Sequence, residues 1–374
     1  MVTRADLSKA RRIVVKLGTS TLTYENGKLN LFRIEKLVRE LADLANQGKE
    51  MILVTSGAVG VGMDRLGLIE KPKTIPEKQA AAAVGQGILM HVYEKIFGEY
   101  GQTVAQVLLT REDSVNRRRY ANSRSSLLTL LKMGVIPVIN ENDAVAVDEL
   151  KIGDNDTLSA TVAGLVDADL LIILSDVEGV YTENPAVNPA ARLIGEIADI
   201  TPEIEALSGE PGSLRGTGGM YTKIQAGKIA MNSGVSMVIA LSSRDGVIRD
   251  ILAGKAIGTL FSPKENSLHV RKRWLAFGSR LYGSVTIDAG CEKALLAGSS
   301  LLAAGILAVS GDFEQGNTIR IVNESGREVA RGLVNYNSSD LDSIKGCHSH
   351  EFSSVLGSKP YDEVIHRDNL ALLV

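Results

Sequence analysis

Short runs of aliphatic and β-branched residues alternate with longer amphipathic stretches through the first two thirds of the chain. Residues 11–18 read RRIVVKLG and residues 50–57 read EMILVTSG, and both runs predict strands. Between them, from Leu31 to Gln47, apolar residues recur at every third or fourth position, which is the period of a helix with one buried face. A strand, a helix and a second strand in this order predict two parallel strands joined by the helix.

The same alternation continues to about residue 261. Further strands are predicted at 103–109, 134–140, 168–176 and 235–241, and further helices at 123–132, 156–166 and 220–234. Strands that are apolar at nearly every position are buried on both faces, so helices must cover both sides of the sheet. The predicted fold class is therefore α/β, a three-layer αβα sandwich around a mainly parallel open sheet.

The pattern changes after residue 261, and the change divides the chain. Residues 262–274 contain a proline and a run of charges, which predict a linker. From residue 275 onward, short strand-like runs separated by tight turns predict a small β-rich domain. We therefore expect a large domain at 1–261 and a second, smaller domain at 275–374, a division that suits a chain of 374 residues.

Charge and composition exclude several classes of protein. A formal net charge of −3 gives no overall field that would gather nucleic acid or an anionic membrane. Lys16 interrupts the first apolar run, and no apolar stretch reaches the roughly 20 residues that a spanning helix needs, so neither a signal peptide nor a membrane partner is expected. Cys291 and Cys347, the only cysteines, are too few for a disulfide framework. A cytoplasmic location is expected.

Two turns that follow predicted strands are candidates for anion binding. The pattern G-x-x-x-x-G-K-[ST] of a classical P-loop does not occur. Instead, Lys16 to Ser20 follows the first strand and Thr55 to Ala58 follows the second. Such turns lie at the ligand crevice of an open parallel sheet, where helix N-termini present free N–H groups. Taken singly, Gly18 and Gly57 are explained equally well as ordinary turn glycines.

A third candidate is the glycine-rich segment from Gly216 to Lys223, directly before a predicted helix. Glycines let backbone amides approach phosphate oxygens, and Lys223 brings a positive charge to the same place. Lys16 and Lys223 are then expected to hold a transferring phosphoryl group from two sides, because phosphoryl transfer depends mainly on positioning and neutralising charge.

Acidic and amide residues cluster in residues 139–145, INENDAV, and in residues 153–156, GDND. Asp154 or Asn155 is expected to cap the following helix, but capping does not explain so many together. Such side chains suit either the ammonium group of an amino acid or the orientation of lysines and metal-bound water. Of five histidines only His91 lies in the large domain. A carboxylate acceptor is already ionised at neutral pH and needs no base, so the acceptor is expected to be an acid, although aspartate is an alternative base for a hydroxyl acceptor.

Residues 347–350, CHSH, place potential metal ligands side by side without a second pair at suitable spacing, and predict a solvated turn. No residue is therefore assigned as a metal ligand.

Six motifs, in this order and spacing, carry a family resemblance: VVKLGTS, LVTSGAVGVG, VINENDAV, KIGDND, LLIILSDVEGVYT and GTGGMYTK. They resemble the glutamate 5-kinase family of the amino-acid-kinase superfamily, and the small domain resembles a PUA domain, with GSSLLAAGI and FEQGNTIRI as its typical stretches. The resemblance covers essentially the entire chain. It implies the amino-acid-kinase fold and ATP-dependent phosphorylation of the γ-carboxylate of L-glutamate, which gives γ-glutamyl phosphate in the first step of L-proline biosynthesis.

The resemblance also implies roles for individual residues. Catalytic roles fall to Lys16, Lys223 and Asp156, with Asp156 orienting the two lysines. Glutamate is expected to bind to Ser56, Asp143 and Asn155. ATP, with Mg²⁺, is expected to bind to Lys16, Ser175, Asp176, Thr217, Gly218, Gly219, Met220, Tyr221, Thr222 and Lys223. Many family members have threonine where this chain has Ser175, and the hydroxyl is retained.

Family members are often homo-oligomers that proline inhibits, so a dimer or tetramer with proline as feedback inhibitor is expected.

Two alternatives to this function remain. A related kinase for aspartate, acetylglutamate or a nucleoside monophosphate would share the sheet and the lysines. An RNA-binding role through the PUA-like domain is the other, but residues 275–374 contain eight Lys and Arg against twelve Asp and Glu. Because phosphate contacts dominate affinity for RNA, nucleic acid is not expected as a partner.

Overall fold

The structure is a computed structural model, and it describes residues 2–24, 27–110, 113, 116–145, 155–185, 187–207, 219–263, 281–357 and 361–373. The chain divides into two compact units, Met1–Ser267 and Leu268–Val374. The linker predicted at 262–274 lies outside the described residues from position 264 onward, so its bounds stay a prediction. Within the described ranges, each helix is too short or too polar to cross a membrane.

The first unit is built around one sheet. Its strands are β1 (Arg12–Leu17), β2 (Glu50–Val54), β3 (Val104–Leu109), β4 (Ile136–Glu141), β5 (Leu170–Ser175), β6 (Glu196–Ile197), β7 (Ser236–Leu241) and β8 (Thr259–Phe261). In the described residues the strand order is β3-β4-β2-β1-β5-β7-β8-β6. All neighbours pair in parallel except β7 and β8, which are antiparallel. The mainly parallel sheet predicted from the sequence is confirmed.

Helices cover both faces of this sheet. They are α1 (Thr19–Leu22), α2 (Leu31–Asn46), α3 (Ala58–Leu66), α4 (Ile75–Glu99), α5 (Arg117–Lys132), α6 (Asn155–Leu165), α7 (Pro202–Ala206), α8 (Met220–Asn232) and α9 (Val247–Leu252). Side chains alternate across the sheet, so Ile13 and Val15 join the core formed with α2, α4 and α9, whereas Val14 joins the core formed with α5, α6 and α8. This is the predicted three-layer arrangement.

Residues 58–102, for which the hydrophobic pattern predicts no element, form α3 and the long helix α4. The two helices pack so closely that a Cβ atom built on Gly85 would lie 1.8 Å from the carbonyl oxygen of Ala58. Small residues and backbone make this contact, so the large buried apolar side chains of α4, Leu89, Tyr93 and Phe97, are confined to its second half. One local signal does mark its start, because Thr74 and Glu77 form a capping box.

The second unit contains a separate sheet, as predicted. Its strands are β9 (Leu281–Ile287), β10 (Ile306–Gly311), β11 (Thr318–Asn323), β12 (Glu328–Leu333) and β13 (Leu370–Leu372), and its helices are α10 (Ala289–Leu296), α11 (Ser338–Ile344) and α12 (Phe352–Leu356). Among the strands of this unit that the structure describes, the order is β10-β9-β11-β12-β13, and only the pair of β9 and β11 is parallel. In the segment predicted to be a solvated turn, the exposed rings of His348 and His350 stack 5.7 Å apart.

Candidate active site

The carboxyl ends of β1, β2, β4 and β5 lie at one edge of the first sheet. Lys16 of β1 pairs in register with Val54 of β2 and with Ile173 of β5. Val54 pairs in turn with Ile139 of β4. Because all these strands are parallel, the turns that follow them gather at the same edge, where open α/β sheets bind their ligands.

A buried ionic group lies at the centre of this edge. The Nζ atom of Lys16 lies 2.6 Å from Oδ1 of Asp156, and the Nζ atom of Lys223 lies 3.2 Å from Oδ2 of the same carboxylate. Asp156 is fully buried, and the side chains of the two lysines are only 6% and 5% exposed. One carboxylate therefore holds two ammonium groups that come from β1 and α8.

The electrostatic balance of this group favours its ionised form. Burial raises the pKa of the Asp156 carboxyl, but the ammonium groups of Lys16 and Lys223 outweigh that effect and hold the pKa below its usual value. Each carboxylate oxygen forms an ion pair with a different lysine, so the two ammonium groups are held side by side rather than on one atom. Two such groups can neutralise charge on a phosphoryl group, provided that it lies at this edge.

The glycine-rich segment before α8 contributes a hydroxyl to the same carboxylate. Gly219 precedes the helix, whose first residues are Met220 and Tyr221. The Oγ1 atom of Thr222 lies 3.0 Å from Oδ2 of Asp156 and 2.8 Å from the carbonyl oxygen of Gly219. Thr217 and Gly218, which are also predicted to bind ATP, lie outside the described residues.

Ser175 and Asp176, the other predicted nucleotide contacts, end the strand next to β1. The Ser175 hydroxyl is buried and donates to Oδ1 of Asp176 at 2.9 Å. A Cβ atom built on Gly18 would lie 3.7 Å from the carbonyl oxygen of Leu174 and 3.6 Å from Nζ of Lys16. The turn after β1 thus brings the Lys16 ammonium close to the end of β5.

The turn after β2 lies beside the turn after β1. Gly57 has φ +89°, a left-handed conformation that strains any residue with a side chain. A Cβ atom at this position would lie 3.6 Å from the Thr19 methyl group. The left-handed turn ends the strand and starts α3 directly after Ser56, whose side chain is almost fully buried.

Ser56 and Asn155 belong to a second, uncharged network. The side-chain amide Nδ2 of Asn155 lies 2.6 Å from the carbonyl oxygen of Thr55, 2.8 Å from Oγ of Ser56 and 3.0 Å from Oδ1 of Asn140. Asn140 in turn donates from its Nδ2 to Oε1 of Gln86 at 2.8 Å. Two of the three predicted glutamate contacts, Ser56 and Asn155, are therefore in direct contact.

Asp143, the third predicted glutamate contact, lies in the turn after β4 and lines a cavity of about 310 Å³. The cavity brings together small, apolar and polar residues of α3, α4, β3 and β4: Ala58, Ala82, Ala83, Gln86, Gly87, Gln106, Leu108, Glu141, Asn142, Asp143 and Ala144. This volume suits a small amino acid better than a nucleotide.

Three residues of this region carry no role in the sequence prediction. Asn140 stands within the INENDAV motif, so the cluster pointed to it. Gln86 and Tyr93 lie on α4, and the hydroxyl of Tyr93 is within 2.8 Å of Oγ1 of Thr55. Burial raises the pKa of Tyr93, which keeps its phenol protonated. No local sequence signal marks either residue, because their partners lie 54 and 38 positions away.

Comparison with known proteins assigns both units. Residues 11–241 match the model of the amino acid kinase family, and residues 283–356 match that of the PUA domain. A glutamate 5-kinase of Moorella thermoacetica is 56% identical over 99% of this chain and 98% of its own length. The glutamate 5-kinase of Caldanaerobacter subterraneus is 56% identical over 97% of this chain and 98% of its own length. That of Carboxydothermus hydrogenoformans is 53% identical over 99% of this chain and 100% of its own length.

Proposed function

The chain belongs to the amino acid kinase family, within it to the glutamate 5-kinases, and from this premise we propose how its site phosphorylates the γ-carboxylate of L-glutamate. ATP is the co-substrate, and the product is γ-glutamyl phosphate. The enzyme name implies the corresponding step of proline biosynthesis. The observation that carries the assignment of residues is the pair of lysines on one buried carboxylate, directly beside the uncharged network of Asn155.

In the proposed reaction an oxygen of the γ-carboxylate attacks the γ-phosphorus of ATP. The new O–P bond forms as the bond between that phosphorus and the β,γ-bridging oxygen breaks, and ADP leaves with the electron pair. No proton has to be removed, since the acceptor is ionised at neutral pH. Lys16 and Lys223 stabilise charge on the transferring group, and Asp156 holds the two ammonium groups in position.

Nucleotide and acceptor take opposite ends of this arrangement. We assign Ser175, Asp176 and the segment from Thr217 to Lys223 to ATP. Ser56, Asp143 and Asn155 are assigned to glutamate, where the Asp143 carboxylate suits the ammonium group of the amino acid. Mg²⁺ is expected to bind mainly through the ATP phosphates, and the exposed carboxylate of Asp176 is a hard oxygen ligand of the kind it prefers.

The decisive test is product formation with a panel of acceptors. Purified protein with Mg-ATP is given L-glutamate, L-aspartate, N-acetylglutamate or UMP, and ADP release is measured together with trapping of the acyl phosphate by hydroxylamine. We expect ADP and hydroxamate to form together only with glutamate. Turnover with aspartate, N-acetylglutamate or UMP but not with glutamate would overturn the assignment.

Four further expectations are proposals of the same kind: a cytoplasmic location, a homodimer or homotetramer, feedback inhibition by proline and no nucleic-acid partner. Light scattering tests the oligomer, and activity with added proline tests the inhibition. A gel-shift assay with cellular RNA tests the second unit, and a shifted band would contradict the last expectation.

A further inference from the structure

We propose that Gln86 is a positioning residue of the acceptor site, which orients Asn155 through Asn140. This inference rests on the proposed function, because its readout is the binding of glutamate. Gln86 lies in the middle of α4, its side chain is 8% exposed, and it contributes to the lining of the cavity that also contains Asp143.

Backbone groups at both ends determine which way each amide in the network faces. At one end the carbonyl oxygen of Thr55 can only accept, so the group of Asn155 that faces it must be Nδ2. At the other end the backbone N–H of Glu141 donates to Oδ1 of Asn140 at 2.9 Å. Since Oδ1 of Asn140 is thereby the acceptor for both Glu141 and Asn155, its Nδ2 must donate to Oε1 of Gln86.

The oxygen of Gln86 is therefore the second contact that holds the Asn140 amide in this orientation, together with the backbone N–H of Glu141. With that acceptor in place, Asn140 presents its oxygen to Asn155. The two Nδ2 hydrogens of Asn155 are shared among the Thr55 carbonyl, Oγ of Ser56 and Oδ1 of Asn140, and its own Oδ1 is the end of the amide suited to the substrate's ammonium group. Loss of the Gln86 oxygen leaves the backbone N–H of Glu141 as the contact that holds the Asn140 amide on this side, so the position of the oxygen that Asn140 presents to Asn155 is less firmly fixed.

The hydrogen bonding of the Gln86 side chain argues against a purely structural role for this residue. Within the described residues, its Nε2 atom is buried without a hydrogen-bond partner. A buried donor without an acceptor is destabilising, so an apolar side chain of the same length would suit that side of the site better. What the glutamine supplies is its oxygen.

The same helix holds the neighbouring turn by independent contacts. Gly85 touches the backbone of Ala58, where α3 begins, and Tyr93 contacts Thr55. Residues 86 and 93 are seven positions apart and so lie on the same helix face. Replacing Gln86 alone is therefore expected to leave the turn in place while removing one of the contacts that position the Asn140 amide.

The test compares Gln86→Met, which keeps length and removes the acceptor, with wild type. We expect KM for glutamate to rise about fivefold to tenfold, the range expected for one neutral hydrogen bond. The kcat and the KM for ATP should stay within about twofold, as for loss of uniform binding of one substrate. Gln86→Leu, made in parallel, should give the same pattern. Unchanged KM for glutamate in both variants, or failure of both to fold, would overturn the proposal.

A double-variant cycle shows whether Gln86 acts through Asn140. If Gln86 acts through Asn140, adding Gln86→Met to the Asn140→Ala variant should raise KM for glutamate no further. If the increases in KM from the two single variants multiply in the double variant, the two residues act independently and the relay is contradicted. Gln102→Met, in the segment just after α4, is the control for the chemical change, and Leu89→Ala, in the core on α4, is the control for lost stability. Both should keep the wild-type KM. If wild type itself shows no glutamate-dependent ADP release, the proposed function fails and not this inference alone.

Discussion

Asn155 and Asp156 are neighbours at the start of one helix, yet they belong to networks of opposite character. Asp156 holds two lysine ammonium groups on long side chains from β1 and α8. Asn155 joins short uncharged side chains, and backbone groups at Thr55 and Glu141 determine the direction of its hydrogen bonds. The first network contributes positive charge, and the second contributes hydrogen-bonding groups whose donor and acceptor ends are fixed.

This difference matches the two tasks of a carboxylate kinase. Charge on a transferring phosphoryl group must be neutralised, and ammonium groups do so from several directions. An amino acid acceptor must instead be held in one orientation, which requires hydrogen-bonding groups with a fixed polarity. Changes in the ionic network should therefore reduce kcat or stability, and changes in the uncharged network should raise KM for the acceptor.

The largest expected effect follows from removing the charge of the ionic network. Asp156→Asn leaves two buried ammonium groups without their carboxylate, and breaking a buried ion pair in this way costs about 3 to 5 kcal/mol of the free energy of unfolding. Urea unfolding followed by circular dichroism at neutral pH measures the loss. Asp245→Asn, which removes an exposed ion pair with Lys36, is the control and should cost less than about 1 kcal/mol.

The same variant makes a prediction about pH. The pKa of Asp156 is lowered in the folded protein, so its carboxylate contributes stability above the ordinary carboxyl pKa of about 4 and loses it as the pH falls through the lowered value. The difference between wild type and Asp156→Asn should therefore be constant near neutral pH and shrink below about pH 4. A difference that grows on acidification would mean that the carboxyl is protonated in the native state.

The next effect concerns catalysis by the two ammonium groups. Lys16→Ala or Lys223→Ala should lower kcat by roughly 10²-fold or more, the range for removing a preorganised charge stabiliser. Steady-state kinetics with saturating ATP and glutamate provides the measurement, and Lys36→Ala on the exposed face of α2 should keep wild-type kcat. If kcat survives and only KM for ATP rises, the lysines bind the ground state and the contrast between the two networks is lost.

A smaller effect is expected at the acceptor end. Asp143→Ala should raise KM for glutamate roughly 10- to 100-fold, the equivalent of about 1.5 to 3 kcal/mol for a hydrogen bond to a charged group, with little change in KM for ATP. Asp176→Ala is the matched control on the nucleotide side and should change KM for ATP instead. An effect of Asp143→Ala confined to ATP would place this carboxylate at the wrong end of the site.

The two lysines of the ionic network were predictable from topology, because Lys16 lies at the end of a strongly apolar strand and Lys223 at the end of a glycine-rich segment, and the ends of parallel strands meet at one edge. The role of Asp156 between them was predicted from the family resemblance. The sheet itself was predictable, since its strands are apolar at nearly every position.

The uncharged network was only partly predictable. Ser56, Asp143 and Asn155 follow from the family resemblance, but Gln86 lies on a helix that the hydrophobic pattern does not reveal. Backbone contact at Gly85 takes the place of large apolar side chains in the first half of this helix, and the stripe of Leu89, Tyr93 and Phe97 covers only the second half. The bond from Asn140 to Gln86 spans 54 positions, and hydrogen bonds of this length leave no periodic trace in a sequence.

The smallest expected effect tests whether both networks depend only on the first unit. Every described residue assigned to substrate or catalysis lies at or before Lys223, and Ser262 secures the end of this unit through hydrogen bonds to Val2 and Glu196. A chain that ends at Ser267 keeps those bonds, and we expect it to fold with kcat and both KM values within about twofold of the full chain. Glutamate-dependent ADP formation by both proteins, with and without proline, checks this.

A change in proline inhibition alone would assign the second unit to control of activity, because a domain can bias conformation or assembly without contacting substrate. A folded but inactive truncated chain would mean that one of the networks is completed by the second unit.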